Sequence, residues 1–376
     1  MNSKTKNLTI YENILLNDSL IKSIKKSKKI ISRKINKNLL FEWNKTKWFI
    51  KKNKAILKKR NQKLLPPSLD AISFYIKQEK LWPENIKLPW GYLIAQVLGL
   101  KPERGKCWAI LCPGKIDINV YQPDLKIISG KYLDEKRKKI LQSIFLKHQG
   151  EIYFPIKESE FFFVKLPNQF SYMESAFPEK TISLYSTRFQ NTNKINNIWR
   201  NILNNVEMEW HAINEVEKNE INSIWGWGWG SMPNELDCNI KSISKDETTF
   251  SNSKVASLAI SALTSWIEKR GKKKLSLKIY QSKISINMFA IFDQISSSSQ
   301  IEYKKNSEIE KSCIALTKHL NVFNKKIEEN IDEDVYIANE EYILLKNKNF
   351  KMTIYDKIIF NFNMYSFFLL HILLKK

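Results

Sequence analysis

Residues 197–233, NIWRNILNNVEMEWHAINEVEKNEINSIWGWGWGSMP, decide how the rest of the chain is read. Trp199, Ile202, Leu203, Val206, Trp210 and Ile213 recur at helical spacing and predict one apolar stripe on an amphipathic helix. Glu207, His211, Asn214 and Lys218 stand at i, i+4, i+7 and i+11 and share a polar edge beside it. After a connector at 218–220, Trp225, Trp227 and Trp229 alternate with Gly226, Gly228 and Gly230, and Pro233 closes the run. Side chains of an extended chain alternate between faces. The three indoles are therefore expected on one face. The glycines then leave bare backbone on the other, where a ligand or a packed helix can approach closely.

Upstream, Leu-Pro-Trp-Gly-Tyr at 88–92 opens a helical segment that ends at Gly99-Leu100. Residues 107–113 read as a strand, and 116–120 alternate apolar with polar as a half-buried strand does. A helix over 133–150, ended by Gly150, and paired strands at 151–154 and 160–164 complete a small α/β unit. Earlier still, Pro66-Pro67 punctuates the chain before a helix over 69–80 with Ser68 as its N-cap. Downstream, a helix over 255–269 has Ser251 or Ser253 near its cap, and strands are expected at 274–280 and 284–291. A serine loop at 296–299 precedes a second amphipathic helix over 309–328. Strands follow at 334–338, 342–345 and 352–355, the last two joined by a hairpin turn at 346–349.

The order His211-x-x-Asn214, connector, Ile-Asn-Ser-x-Trp at 221–225, Gly/Trp turn and proline resembles the RpfE-type bacterial regulatory proteins. Those proteins are described as similar to archaeal-type cofactor-independent phosphoglycerate mutases. The passage from Leu88 through Trp108 to Val120 resembles the same family in the same order. The likeness covers about residues 80–235, thins to an order of elements over 236–356, and does not reach 1–60 or the last apolar stretch. It implies an α/β fold, a mixed sheet flanked by helices, related to the alkaline-phosphatase-like enzymes. The expected organisation is a basic, mostly helical extension over 1–65, the α/β region over 66–356 and an apolar segment over 357–376.

Alkaline-phosphatase-like chemistry needs a hydroxyl nucleophile beside two divalent ions about 4 Å apart, held by about half a dozen Asp and His ligands. The chain has four histidines, His148, His211, His319 and His371, and no Asp-His, Asp-Gly or His-x-His. Only His211 has carboxylates a turn away on both sides, Glu207 and Glu215. Two ligands from one helix face do not make a two-metal centre. The sequence also lacks a Gly-x-Ser-x-Gly elbow and a phosphate-binding GxxxxGK[ST] loop. No catalytic residue, metal ligand or cofactor is therefore expected.

The candidate binding residues are His211, Asn214, Asn222, Ser223, Trp225, Gly226, Gly228 and Gly230. Three glycines admit a ligand and the polar groups hydrogen-bond it; the same residues also fit a strand packing its indoles into the core. The expected function is a regulatory or binding protein whose partner is a phosphorylated small molecule or another protein. The alternative is a working mutase interconverting 2- and 3-phosphoglycerate, which would require divalent metal.

A net charge of +24 suggests nucleic acid or an anionic surface, but 55 of the 62 basic residues are Lys. Arg, suited to bidentate phosphate recognition, stands at only seven positions. Together with the abundance of Asn and Ile, this reads as the codon bias of an AT-rich genome. A third reading, nucleic-acid binding through the Lys clusters at 22–29 and 51–60 around Trp43 and Trp48, rests on that charge. Cys107, Cys112, Cys238 and Cys313 have no metal or redox spacing, which fits buried thiols in a reducing cytoplasm. Residues 358–374 are apolar but interrupted by Asn361, Asn363 and His371, and no transmembrane span is expected.

Overall fold

The computed structural model describes residues 6–12, 38–46, 56–59, 65–83, 86–118, 123–155, 160–178, 181–183, 194–217, 220–234, 236, 253–271, 275–281, 313–314, 317–318, 320–322, 324–325, 333–338 and 342–345. The chain divides into two compact units, one of residues 1–61 with 274–376 and one of residues 62–273.

The first unit is built on a five-stranded mixed sheet. Its strands are β1 (Lys6–Glu12), β2 (Ile56–Lys59), β9 (Leu275–Gln281), β10 (Glu333–Ala338) and β11 (Tyr342–Leu345). β1 lies between β9 and β10 and is parallel to both, while β11 is antiparallel to β10 and to β2. Leu8, Thr9 and Ile10 of β1 are wholly buried. The expectation of a helical N-terminal extension is corrected here. Residues 6–12 complete the hydrogen-bond ladders of strands more than 260 positions away, a pairing that local sequence does not announce. Residues 38–46 are helical, and Thr46 Oγ1 donates to Asn324 Oδ1 at 2.8 Å, again joining the two ends of the chain. The described residues between 313 and 325 are helical. The strands expected at 284–291 and 352–355, the hairpin at 346–349 and the apolar segment 357–376 lie outside the described residues.

The second unit holds a six-stranded sheet of β3 (Cys107–Ile118), β4 (Pro123–Ile127), β5 (Glu151–Tyr153), β6 (Phe162–Leu166), β7 (Thr181–Ser183) and β8 (Ser223–Gly230). All its pairings are antiparallel. β3 is its spine. β8 runs along one edge of β3, and β6 and then β4 take successive stretches of the other. The two strands expected at 107–113 and 116–120 are thus one strand of twelve residues.

Of helices α1 (Pro67–Gln78), α2 (Trp90–Val97), α3 (Glu135–Lys147), α4 (Lys194–Glu217) and α5 (Lys254–Gly271), α2, α3 and α4 pack on the sheet, while α5 packs on α2 and α1 on α5. Ser68 does not cap α1. The helix starts at Pro67, whose missing N–H costs nothing at that position, and Ser68 is buried in the first turn. Ser253 does lie at the start of α5, its Oγ accepting from Ala256 N–H at 3.4 Å. Of the predicted stripe on α4, Trp199, Ile202, Val206, Trp210 and Ile213 are buried, and Leu203 is half-buried against them. They form one core with Leu141, Ile144 and Phe145 of α3 and with Ala109, Leu111 and Val164 of the sheet. Among the described residues no helix is long and apolar enough to cross a membrane.

Candidate functional site around the Gly/Trp strand

β8 pairs with β3 from Ser223 opposite Gly114 to Trp227 opposite Ile110. The register then shifts. Gly230 faces Trp108, so three steps along β8 match two along β3. This is a β-bulge with one extra residue, and Gly228 supplies it at φ +76°, a left-handed conformation that glycine adopts without steric cost.

The bulge corrects the expected direction of the indoles. Trp227 stacks on Trp90 of α2 at 5.9 Å, with Phe177 edge-on at 4.9 Å. Trp229 points the other way and meets Trp199 of α4 edge-on at 4.8 Å. An uninterrupted strand would have put residues 227 and 229 on one face.

The glycines divide in the same way. A side chain at Gly226 would run into the Trp229 ring, on the α4 side. On the other side, a Cβ at Gly228 would stand 3.0 Å from Gly91 N and Trp90 Cβ, and one at Gly230 would stand 2.7 Å from Pro89 Cα. Gly91 itself lies against β3, where a Cβ would come within 2.6 Å of Trp108 O. The start of α2 therefore rests on the backbones of β3 and β8. What fills the bare glycine face is a helix of the same chain.

The indole N–H groups of Trp225 and Trp229 are held by the segment 173–178. Trp225 Nε1 donates to Ala176 O at 2.9 Å. Trp229 Nε1 donates to Ser175 Oγ at 3.0 Å, and that hydroxyl donates to Gly226 O at 2.6 Å. Lys87 ties down the same segment by donating to Met173 O at 2.5 Å, with Glu174 at 3.7 Å. Burial lowers the Lys87 pKa, and the Glu174 carboxylate opposes the shift in part.

The polar candidates gather at the start of β8. Asn222 behaves as one more rung of the ladder: its N–H donates to Gly114 O at 3.0 Å and its Oδ1 accepts from Ile116 N–H at 2.7 Å. Ser223, 2% exposed, donates to Glu207 Oε1 at 2.8 Å. Asn214 Nδ2 donates to Ile221 O at 2.9 Å, while its Oδ1 accepts from the Arg137 guanidinium. His211 is exposed on α4. The polar edge expected along α4 is thus half-buried at Glu207 and Asn214 and open at His211.

Arg137 was not legible as a site residue. It sits in a Lys-Arg-Lys-Lys run that reads as solvated surface, yet it is 0% exposed. Its guanidinium is shared between Asp134, the N-cap of α3, and Asn214 of α4. Burial pushes the Asp134 carboxyl up, but hydrogen bonds from the Arg137 N–H and guanidinium outweigh it and hold the pKa below the usual value. Asp134 at i−3 is the available signal, since an N-cap acid accepts from the N–H three residues on and so stands beside the Arg137 side chain.

No three His, Cys, Asp or Glu side chains among the described residues come together to hold a metal ion. Of the two carboxylates one turn from His211, Glu207 is hydrogen-bonded to Ser223. Burial raises the thiols of Cys107 and Cys112 to about 12, well away from a reactive thiolate.

No protein-family model and no curated protein matches the chain. Among solved structures, the cofactor-independent phosphoglycerate mutase of Thermoplasma acidophilum is similar at 11% identity and a TM-score of 0.31, over 93% of this chain and 91% of that one. The PH0037 protein of Pyrococcus horikoshii is similar at 12% identity and a TM-score of 0.34, over 91% of this chain and 87% of that one. At this distance the likenesses assign neither a family nor the role of any residue.

Proposed function

We propose that the chain is a phosphoglycerate-mutase-like protein of the RpfE type, a cytoplasmic regulatory or binding protein that works without metal-dependent catalysis. One observation supports the reading above the others. The sequence resemblance is carried by 88–120 and 199–233, and their elements α2, β3, α4 and β8 pack together in one unit. Residues that resemble a family in sequence order are here joined in space around one bulged strand. The reading without metal chemistry rests on the sequence, which has four histidines and no Asp-His, Asp-Gly or His-x-His.

The test uses the full chain with 3-phosphoglycerate. The expected result is a rise in unfolding temperature with ligand concentration, as binding to the folded state requires, and no turnover with Mn²⁺ or Mg²⁺ present. A metal-dependent kcat of about 1–10³ s⁻¹ would establish the mutase instead. Neither stabilisation nor turnover would remove the phosphorylated three-carbon acid as the ligand class.

A further inference from the structure

Helices α3 and α4 lie side by side and run antiparallel. Arg137 near the start of α3 meets Asn214 near the end of α4, and Phe145 near the end of α3 meets Trp199 near the start of α4. Their inner sides share one core on the sheet. On their outer sides two large apolar side chains stay in water, Leu146 of α3 at 71% exposure and Met208 of α4 at 64%.

The outer side of α4 is unlike the surface that a lysine-rich chain otherwise makes. Asn197, Asn201, Asn204, Asn205, Met208 and Ala212 are all exposed on one side of the helix, a stripe about 22 Å long at about 1.5 Å rise per residue. No lysine follows Lys194 within the helix. Asparagine is a poorer helix former than the Lys, Glu or Gln that suits an exposed position, and exposure to water does not offset that cost. A contact does, because the centre of an interface between proteins is depleted in Lys and Glu and enriched in Met. Two copies of a chain of net charge +24 repel each other, and they repel least across a face without lysine.

Charge is divided between the two helices. Lys139 is exposed on α3 and Glu209 on α4, both between the Arg137–Asn214 and Phe145–Trp199 contacts. Helix α4 opens on Lys194 and ends on Glu217, an order that opposes its own dipole. A second copy, turned about a twofold axis parallel to the helices, lays its α3 over this α4 and its α4 over this α3. Each facing pair is then antiparallel and opposite in charge.

We propose that the outer face of α3 and α4 is the contact between two copies of this chain, two helices packed on two. Met208 and Leu146 supply its apolar centre. The asparagine amides, each donor and acceptor, hydrogen-bond across it, and Lys139 pairs with Glu209 of the second copy.

The experiment is sedimentation velocity of the full-length protein over a concentration series, and the expected result is a monomer–dimer equilibrium. M208K is expected to weaken dimerisation at least about tenfold, since it sets two ammonium groups in the apolar centre. Y172K makes the same change in charge at an exposed aromatic of the same unit outside α3 and α4, and should cost less than about twofold. K139E and E209K should each weaken association, and K139E/E209K, which restores the net charge, should return to within about threefold of wild type. A monomer at every concentration would overturn the proposal, leaving the face to another partner. Equal losses in M208K and Y172K would also overturn it, as would a double variant that associates no better than its two single variants. If circular dichroism shows M208K unfolded, Asn201→Lys on the same stripe replaces it under the same criteria.

Discussion

Helices α2 and α4 cover opposite faces of the same two strands, β3 and β8, by opposite means. On the α4 face, large side chains fill the space: Trp199, Val206 and Trp210 pack against Leu111 and Trp229. On the α2 face, space is removed. Gly91, Gly228 and Gly230 bring helix backbone onto strand backbone, and the rings of Trp90 and Trp227 meet beside them. The difference teaches that one strand can serve a side-chain interface and a backbone interface at once, provided a bulge re-aims its residues between them. The two faces should therefore fail under opposite substitutions, the first under deletion and the second under addition.

Trp199→Ala is the strongest way to break the α4 face. It removes a buried indole that touches Trp229 and Phe145, and the expected loss is about 3–5 kcal/mol in denaturant unfolding. A loss below about 1 kcal/mol would mean that the face collapses to fill the cavity. On the α2 face the corresponding change is an insertion. Gly91→Ala places a methyl 2.6 Å from the Trp108 carbonyl and should cost about 1–3 kcal/mol through overpacking. Measured by the same unfolding curves, a neutral result would show that α2 can lift away from the sheet freely.

A smaller effect sharpens the description of how α3 is fixed to α4. The Asp134 carboxyl is depressed in the folded state, so the stability it contributes is present above its unfolded pKa of about 3.9. That contribution is lost as pH falls through the lower folded value. The stability difference between wild type and Asp134→Asn should therefore shrink as pH is lowered from about 6 to about 2. A difference that stays constant over that range would show that the Arg137 contact makes no use of the charge.

Most elements of this unit are legible in the sequence because their signals are local. The α4 stripe, the helix expected over 133–150 and found at Glu135–Lys147, and the strands expected at 107–113 and 160–164 and found at Cys107–Ile118 and Phe162–Leu166 follow from local periodicity. The direction of Trp229 is not legible, because one extra residue in β8 is defined only against its partner β3. The burial of Arg137 escapes for a related reason: its partner Asn214 is 77 positions away. The place of β1 depends on strands contributed from residues 275–281 and 333–338. Of the candidate site, the glycines were legible as points of close approach. The identity of what approaches, Pro89 to Gly91 of α2, came from the structure alone.

The measurement that bears most directly on this account compares two glycines of the same unit. Gly228 and Gly105 both have left-handed backbone, at φ +76° and +70°. A Cβ at Gly105 meets nothing within 4 Å, whereas one at Gly228 lies 3.0 Å from Gly91 N and Trp90 Cβ. Alanine at either position carries the left-handed cost of about 1–2 kcal/mol, so subtracting one from the other leaves the contact with α2. Equilibrium unfolding should find Gly228→Ala less stable than Gly105→Ala by about 1–3 kcal/mol. Equal losses at the two positions would contradict the account, because the Gly/Trp strand would then need glycine for its turn and not for the helix laid upon it.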